Sequence, residues 1–277
     1  MNKTVKIIGN DFETVLTDIP KLRFLDYNEE GVQVQMNAVE MKGRDGMGLL
    51  SPTTFGAFNL VLRFFYNGQD LNDYKLIKQK MRGLLFRREP YTLIHSDQAG
   101  KKYEVYCEDN AIEDLGETFG TFTVTFKVYK GYSESLLDTG QYSLSNANKW
   151  QFEGGYISDS DVKYKHTDTS FKIYNGSTDR INPLLGYKLK IKINVDAPKG
   201  FKLVNNTTGD VFEYKKPIKK NQQLVIDGVH PLINNKRVGK HTNWSWISLE
   251  KGFNHIELTG EQLGSSTIEF IFNFVYR

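Results

Sequence analysis

Two neighbouring segments alternate between apolar and polar residues, and this pattern most constrains the fold of the chain. The second segment places four apolar residues on one face: Phe122, Val124, Phe126 and Val128. The first segment does the same with Tyr103, Val105 and Cys107. A period of two is typical of a strand with one buried face. The polar stretch 110–117 between the segments predicts a hairpin, and another layer must cover it because an isolated hairpin is marginally stable.

A single amphipathic helix is predicted upstream, over about residues 70–87, and it can supply that layer. Its apolar residues recur at helical spacing: Leu71, Tyr74, Ile77, Met81 and Leu84 or Leu85. Lysines and an arginine occupy the other faces. Pro90 ends the helical pattern, because proline removes a backbone donor.

Two strands are predicted before the helix. The first, GVQVQMNAV, places on one face Val32, Val34, Met36 and Ala38. The second, FNLVLRFF, does so with Phe58, Leu60, Leu62 and Phe64. Between them, Gly43 and Gly46 bracket an Arg-Asp pair, with Gly48 close behind. Glycines accept positive φ, so we expect the chain to turn or break there.

The second half predicts short strands and no long helix. YKLKIKINV alternates apolar residues with lysines, and the next two strands are joined by a polar turn at Asn205 to Asp210. Further strands are predicted at QQLVIDG, WISL and NHIEL, and a closing strand presents on one face Ile268, Phe270, Phe272, Phe274 and Tyr276. This spacing indicates an antiparallel sandwich. We place a first domain at 1–135, a linker at 136–150 and a second domain at 151–277.

Composition sets limits without assigning a function. With 277 residues, 39% hydrophobic and 13% aromatic, the chain has ample material for a core. We find no signal peptide and no apolar run long enough for a membrane span, so we expect synthesis and retention in a cytoplasm. A single cysteine excludes an internal disulfide.

The charge pattern does not indicate nucleic-acid binding. The net charge is +3, and most lysines alternate along predicted strands instead of forming one basic stripe. The exception surrounds Pro217 and consists of Lys215, Lys216, Lys219 and Lys220. We interpret this cluster as an exposed charged turn, with an acidic partner surface as the less favoured alternative.

Candidate catalytic and metal-binding residues are few. Cys107 has His95 nearby in sequence, but its place on an apolar face favours a buried hydrophobe over a nucleophile. The histidines lack metal-ligand spacing: His95, His166, His230, His241 and His255. Carboxylate pairs lie in predicted polar loops or strand ends: Glu108-Asp109, Glu113-Asp114 and Asp159/Asp161. We predict no catalytic, cofactor-binding or metal-binding residues, and no enzyme.

Sugar binding is the main alternative function. The stretch HTNWSWISL contains polar and aromatic groups that a lectin-like sandwich could use: His241, Asn243, Trp244 and Trp246. On a strand the two indoles share a face, and we favour core packing or a protein contact for that face. Trp150 is predicted to fill a gap at the start of the second domain.

Motif order along nearly the whole chain resembles that of the distal tail protein (Dit) family of long-tailed phages of Gram-positive bacteria. In the first half, the motifs are Gly43 to Gly46 before a strand, LLFRREPYTL from Leu84 to Leu93, and the hairpin ending in FKVY. In the second half, they are Asn205 to Gly209, Leu224 to Gly228, Lys251 to Leu258 and Tyr276-Arg277.

This resemblance implies a mainly β protein. The first domain would be a tail-tube-like β-sandwich or split barrel with one helix, and the second a galectin-like or carbohydrate-binding-module-like antiparallel sandwich. The family also implies a structural virion protein in a ring, a hexamer, at the distal end of the tail. Its partners would be tail tube and tape-measure proteins, the tail-tip or tail-associated lysin protein, and receptor-binding proteins. The alternative is an adhesion module that contacts host cell-wall sugars.

Overall fold

The computed structural model describes residues 3–142, 150 and 162–277, which form two units. The first contains residues up to Ser133 together with Arg277, and the second runs from Glu134 to Tyr276. Of the predicted linker, residues 143–149 lie outside the described residues. Residues before them belong to the second unit, where the Thr139 hydroxyl donates to the carbonyl of Phe270 over 2.8 Å.

Eleven strands and one helix are described within the first unit. They are β1 (Val5–Ile8), β2 (Glu13–Val15), β3 (Leu22–Glu29), β4 (Val34–Gln35), β5 (Ala38–Glu40), β6 (Met47–Leu49), β7 (Thr54–Phe55), β8 (Phe58–Asn67), α1 (Leu71–Leu85), β9 (Tyr91–His95), β10 (Lys101–Asp114) and β11 (Phe119–Val128). A short strand, β12 (Ser133–Ser135), follows at the boundary of the units.

The main sheet of the first unit is antiparallel and curls around one core. Its strand order is β2-β1-β9-β10-β11-β8-β3. Although β3 and β9 are several strands apart in this order, the Tyr27 and His95 rings lie 4.5 Å apart. Lys3 also donates to the Leu25 carbonyl over 2.7 Å. The sheet therefore bends back on itself, as predicted for a split barrel with a single helix.

The helix α1 covers the core, and its ends follow from local chemistry. The Asp70 side chain accepts a 2.8 Å hydrogen bond from the Asp73 amide, which satisfies one of the free donors of the first turn. The buried face consists of Tyr74, Ile77, Met81 and Leu85. Leu71, predicted to share that face, is half exposed because it lies in the first turn. Among the described residues, no helix is long and apolar enough to span a membrane.

The hairpin that dominates the sequence is present, with a shorter turn than predicted. All four apolar residues of its second strand are fully buried: Phe122, Val124, Phe126 and Val128. The stretch 110–114, predicted as part of the polar connection, continues β10 and pairs with β11, with Ile112 opposite Phe122. A bulge between Cys107 and Asp109 shifts the register. The polar residues there are the exposed face of a strand.

The second unit is built from two antiparallel sheets. Its strands are β13 (Lys165–His166), β14 (Ser170–Asn175), β15 (Leu189–Val195), β16 (Phe201–Asn205), β17 (Asp210–Tyr214), β18 (Gln223–Asp227), β19 (His230–Ile233), β20 (Lys236–Arg237), β21 (Gly252–Thr259), β22 (Ser266–Phe272) and β23 (Val275–Tyr276). One sheet has the order β13-β22-β15-β18-β19-β20, and the other β14-β21-β16-β17. Phe171 of β14 contacts Phe270 of β22 with ring centroids 6.2 Å apart, so the sheets pack as the predicted sandwich.

Two strand predictions in the second unit are wrong. WISL forms no strand and makes only one bridge, between Leu249 and Ile181. The closing strand stops at Phe272 and resumes at Val275. Its five aromatic and aliphatic residues are buried as predicted, but Val275 is buried too, so strict alternation fails at that interruption.

Candidate interaction surfaces

A hairpin extends from the first unit between β3 and β8, and we call residues 34–55 the arm. Two short ladders hold it: β4 pairs with β7, placing Val34 opposite Phe55, and β5 pairs with β6, placing Glu40 opposite Met47. Between these ladders, the Leu50 amide donates to the Asn37 carbonyl over 2.8 Å. At the tip, Gly43 and Gly46 have φ of 82° and 76°, as predicted for this turn.

The arm exposes most of its large apolar side chains. Met36 is 65% exposed, Met47 64% and Leu50 62%. The full set of exposed large apolar residues is Val34, Met36, Val39, Met41, Met47, Leu49, Leu50 and Phe55. Exposed apolar side chains concentrated in one segment mark interaction sites, whereas singly scattered ones do not. The arm is therefore the leading candidate for a protein contact.

The predicted strand from Val32 to Ala38 is corrected by this arrangement. It breaks after Gln35, and Val34 and Met36 face solvent within the described residues. Only Val32 packs partly against the core of the first unit. Alternation indicated extended backbone correctly, but it could not show that no layer of the same unit covers the apolar face.

Trp244 is the most exposed large hydrophobic residue described in the second unit. It is 73% exposed, so of the favoured interpretation, core packing or a protein contact, the core packing is wrong for this residue. Its φ of 60° lies in the left-handed region, which is costly for a residue with a bulky side chain. Trp246 is partly buried, and neither tryptophan belongs to a strand. The sequence argument that both share one face therefore fails.

Side-chain hydrogen bonds hold the Trp244 loop in place. The Thr242 hydroxyl accepts from the Trp244 amide over 3.2 Å. Asn243 binds the neighbouring strand β17, accepting from the Glu213 amide over 3.0 Å and donating to the Val211 carbonyl over 2.8 Å. The indole is thus displayed on an anchored loop, which suits a contact with a partner.

A polar network in the second unit was not found from the sequence. The Ser248 amide and hydroxyl both donate to Asp210, and Arg180 donates to the Ser248 hydroxyl over 2.5 Å. Buried Asn205 donates to the Ser248 carbonyl over 2.7 Å and to Asn254 over 3.0 Å. These bonds replace the ladder that the WISL segment lacks, which explains why an apolar segment is ordered without being a strand.

The candidate nucleophile and its candidate base are far apart. In the β9–β10 ladder, Tyr103 pairs with Leu93 and Val105 with Tyr91. From these pairs, Cys107 lies toward one end of the ladder and His95 toward the other, and strand spacing puts the two residues roughly 20 Å apart. Burial raises the pKa of the Cys107 thiol to about 12. Burial also lowers the pKa of His95 to about 4, and both of its ring nitrogens lack hydrogen-bond partners.

The described carboxylates of the candidate pairs make local contacts. Lys127 lies 3.4 Å from Glu108. Asp114 accepts from Lys78 and from the Tyr74 hydroxyl, each over 2.7 Å, and these bonds, that from Lys78 foremost, lower its pKa. Asp109 accepts from the adjacent Asn110 amide over 2.8 Å. Asp159 and Asp161 lie outside the described residues.

The remaining candidate ligands are scattered. Within residues 3–142, 150 and 162–277, no group of three or more His, Cys, Asp or Glu side chains is placed to hold a metal ion. His166 stacks on Phe171 at 4.3 Å, and burial lowers its pKa. The lysines around Pro217 are exposed, as predicted for a charged turn, and Lys220 donates to the Ser265 hydroxyl over 2.9 Å. Trp150 is buried.

The sequence of the first unit matches a known family. Residues 10–128 match the family described as the phage tail protein RIFT-related domain. The first unit is similar in sequence to phage tail domains. This match covers the arm, the helix and every strand of the curled sheet except β1, so the resemblance to phage tail proteins suggested by the sequence motifs is confirmed.

Nearly the whole of this sequence is similar in fold to a solved phage protein. That protein is Dit (gp 19.1) of SPP1, described as a paradigm of the hub adsorption apparatus in phages that infect Gram-positive bacteria; the match has a TM-score of 0.69 at 15% identity and covers 99% of this chain and 100% of that one. A chain of the phage P2 baseplate in its activated conformation with Ca matches with a TM-score of 0.43 at 14% identity, covering 99% and 98%. Comparison with curated protein sequences finds no match. The fold predicted from the Dit resemblance is confirmed.

Proposed function

We propose that this chain is the structural hub protein of a phage tail, joining the tail tube to the tail tip. The observation that carries the proposal is the combination of a phage tail domain at residues 10–128 with a fold similar to Dit over the full length. Neither the sequence match nor the fold similarity would suffice alone, because one fold hosts many functions. The exposed apolar arm supports a role in assembly.

Copies of the chain form a ring through their first domains, residues 1–135, and six copies complete it. The second domains, residues 151–277, hold tail-tip or receptor-binding proteins. Two features of the first unit support ring formation. The outer edges of β2 and β3 have no partner strand among the described residues, and unpaired edges favour pairing with another chain. A closed ring of identical contacts removes such edges by symmetry.

The hub lies at the distal end of the tail in the virion and is assembled in the cytoplasm of the host bacterium. Its partners are the tail tube and tape-measure proteins on one side and the tail-associated lysin on the other. Its role is mechanical, with no cofactor, metal or catalytic residue. The separation of Cys107 from His95 and the raised pKa of the Cys107 thiol support a role without nucleophilic catalysis.

The direct test combines particle imaging with mass measurement. The purified chain should have a mass six times its own 31.9 kDa by light scattering at micromolar concentrations. Cryo-electron microscopy of tails should place it between tube and tip. A monomer at every concentration, together with tails lacking density for the chain at that position, would overturn the proposal.

Trp244 favours a second candidate, the sugar-binding adhesion module. An exposed indole held in a strained backbone conformation is a suitable platform for the apolar face of a sugar ring. In this case, calorimetry should detect binding of purified host cell-wall polysaccharide by the full chain, and Trp244→Ala should abolish it without changing the melting temperature. Phe253→Ala, at another exposed aromatic residue, is the matched control. The hub proposal requires no such binding.

A further inference from the structure

The tip of the arm, residues 41–47, presents exposed apolar and basic side chains. Met41 is 43% exposed and Met47 64%. Lys42 and Arg44 are exposed and form no ion pair among the described residues; Asp45 lies in the same turn, and Glu40 lies opposite Met47 at its base. A partner surface with apolar and acidic groups would suit the two methionines and the two basic side chains.

The turn between β10 and β11 has that complementary character. Leu115 is 51% exposed and Phe119 37%. Glu113 and Glu117 are exposed beside them and make no ion pair within the described part of the chain, whereas Asp114 is already occupied by Lys78. The turn thus offers apolar side chains flanked by two unpaired acids.

The turn is also rigid, which favours its use as a docking surface. The amides of Leu115 and Gly116 both donate to the Phe119 carbonyl, over 3.2 and 3.1 Å. The Gly68 amide donates to the Thr118 carbonyl over 2.8 Å. The Phe119 ring also lies 6.3 Å from that of Phe65. Little conformational entropy would be lost when a partner binds a surface fixed in this way.

Two other exposed apolar groups of the first unit are surrounded by basic residues. Leu76 projects from α1 between Lys75 and Lys80, and Phe86 precedes Arg87 and Arg88. Juxtaposition with the basic tip would place like charges together, and like charges across an interface disfavour a partner. The β10–β11 turn is an exposed apolar surface on which the basic side chains of the tip meet opposite charge.

We propose that the arm tip of one copy docks on the β10–β11 turn of a second copy, pairing Lys42 and Arg44 with Glu113 and Glu117. Met41 and Met47 pack on Leu115 and Phe119 in the same contact. The two surfaces differ, so each copy gives its tip to one neighbour and receives the tip of another. Such a head-to-tail contact generates a ring when its rotation closes. This inference rests on the proposed hub function and identifies the residues that join its subunits.

Compensating charge reversals in the full-length chain test the contact. The tip variant is Lys42→Glu with Arg44→Glu, and the turn variant is Glu113→Lys with Glu117→Lys. Each alone places like charges together and should raise the dissociation constant of the assembly at least ~10-fold by analytical ultracentrifugation. A chain carrying all four changes, or a 1:1 mixture of the two variants, should assemble like the wild type. Lys215→Glu with Lys216→Glu is the control for a general effect of charge.

The outcomes separate this inference from the proposed function. Assembly of the tip or turn variant with unchanged affinity, while the wild type assembles, would overturn the contact and leave the hub function standing. Failure of the fourfold variant and of the mixture to assemble, with wild-type melting curves by circular dichroism, would also overturn it. An equal loss in the control variant would do the same. A wild-type chain that never assembles would instead count against the hub function itself.

Discussion

The β10–β11 hairpin and the arm share a sequence pattern but differ in what covers them. Both alternate apolar residues with polar ones, yet Phe126 is fully buried whereas Met36 is 65% exposed. The helix and the curled sheet cover the first hairpin within the same unit. Nothing in the described first unit covers the arm to the same degree. Alternation therefore predicts extended backbone and an apolar face, but the layer that buries this face can belong to another molecule.

The largest expected difference is in the free energy of unfolding after truncation of one apolar side chain in each hairpin. Phe126→Ala should lower the free energy of unfolding by about 3–5 kcal/mol, because it leaves a cavity in the core. Leu50→Ala in the arm should change it by less than about 0.5 kcal/mol under conditions where the chain is monomeric. Urea denaturation of both variants provides the measurement. Similar losses in the two variants would mean that the arm is packed within its own chain.

Acid should destabilise the core of the first unit through His95. Its folded pKa is lowered by burial to about 4, below the ordinary value of 6.5, so the unfolded chain binds more protons between these values. Stability is therefore full above pH 6.5 and falls as the pH drops toward 4, by at most about 1.4 kcal/mol per pH unit. Urea denaturation from pH 4 to 7 measures this slope.

His95→Phe should flatten that pH dependence, whereas a change at the exposed His230 should preserve it. Asp97, Lys101 and Lys3 also act on His95, so both variants are compared at constant ionic strength. An unchanged slope in His95→Phe, with the fold intact, would exclude His95 as its cause. A flattened slope in His95→Phe would assign the acid sensitivity to a core residue of the first unit.

A matched pair of glycines gives a smaller contrast. A Cβ at Gly120 of β11 would lie 2.4 Å from the Glu113 carbonyl, so Gly120→Ala should cost about 1–3 kcal/mol through forced backbone shifts. A Cβ at Gly48 of the arm would meet the end of the flexible Met41 side chain, so Gly48→Ala should cost less than about 0.5 kcal/mol. Thermal denaturation distinguishes the two, and an equal loss would show that the arm tolerates no more change than the core.

The smallest expected effect on stability is at Trp244. Trp244→Gly removes a bulky residue from a left-handed conformation and should change the free energy of unfolding by less than about 1 kcal/mol. A loss of several kcal/mol in urea denaturation would mean that the indole packs as a core residue despite its exposure. Such a result would show that Trp244 stabilises the fold by packing, as the buried residues of the β10–β11 hairpin do and the exposed residues of the arm do not.

Much of the fold could be predicted because local patterns and tertiary packing agree. The buried faces of β8, β11 and β15 follow directly from alternation, and α1 follows from helical spacing and the Asp70 cap. The turn at Asn205 to Asp210 was predicted from its polar residues, and it joins β16 to β17. In each case, the residues that form the element also determine where it ends.

The failures occur where distant side chains decide the outcome. The WISL segment is ordered by Asn205 and Asp210, which no local pattern connects to it, and Asn254 accepts from the adjacent Glu250 amide. The exposure of Trp244 depends on Asn243 binding β17. The apolar face of the arm could not be assigned from the sequence, because no described part of the first unit buries it. The available signal was a glycine turn, at Gly43 and Gly46, between two segments that each carry several apolar residues.

Chemical cross-linking between copies tests the intermolecular role of the arm most directly. Asp45→Cys in the tip and Glu117→Cys in the turn are made in separate full-length chains, which are mixed and treated with a short bismaleimide. The account predicts a cross-linked dimer in the mixture that neither chain forms alone, with peptides joining the two new cysteines identified by mass spectrometry. Assembled mixtures without this linkage would contradict it.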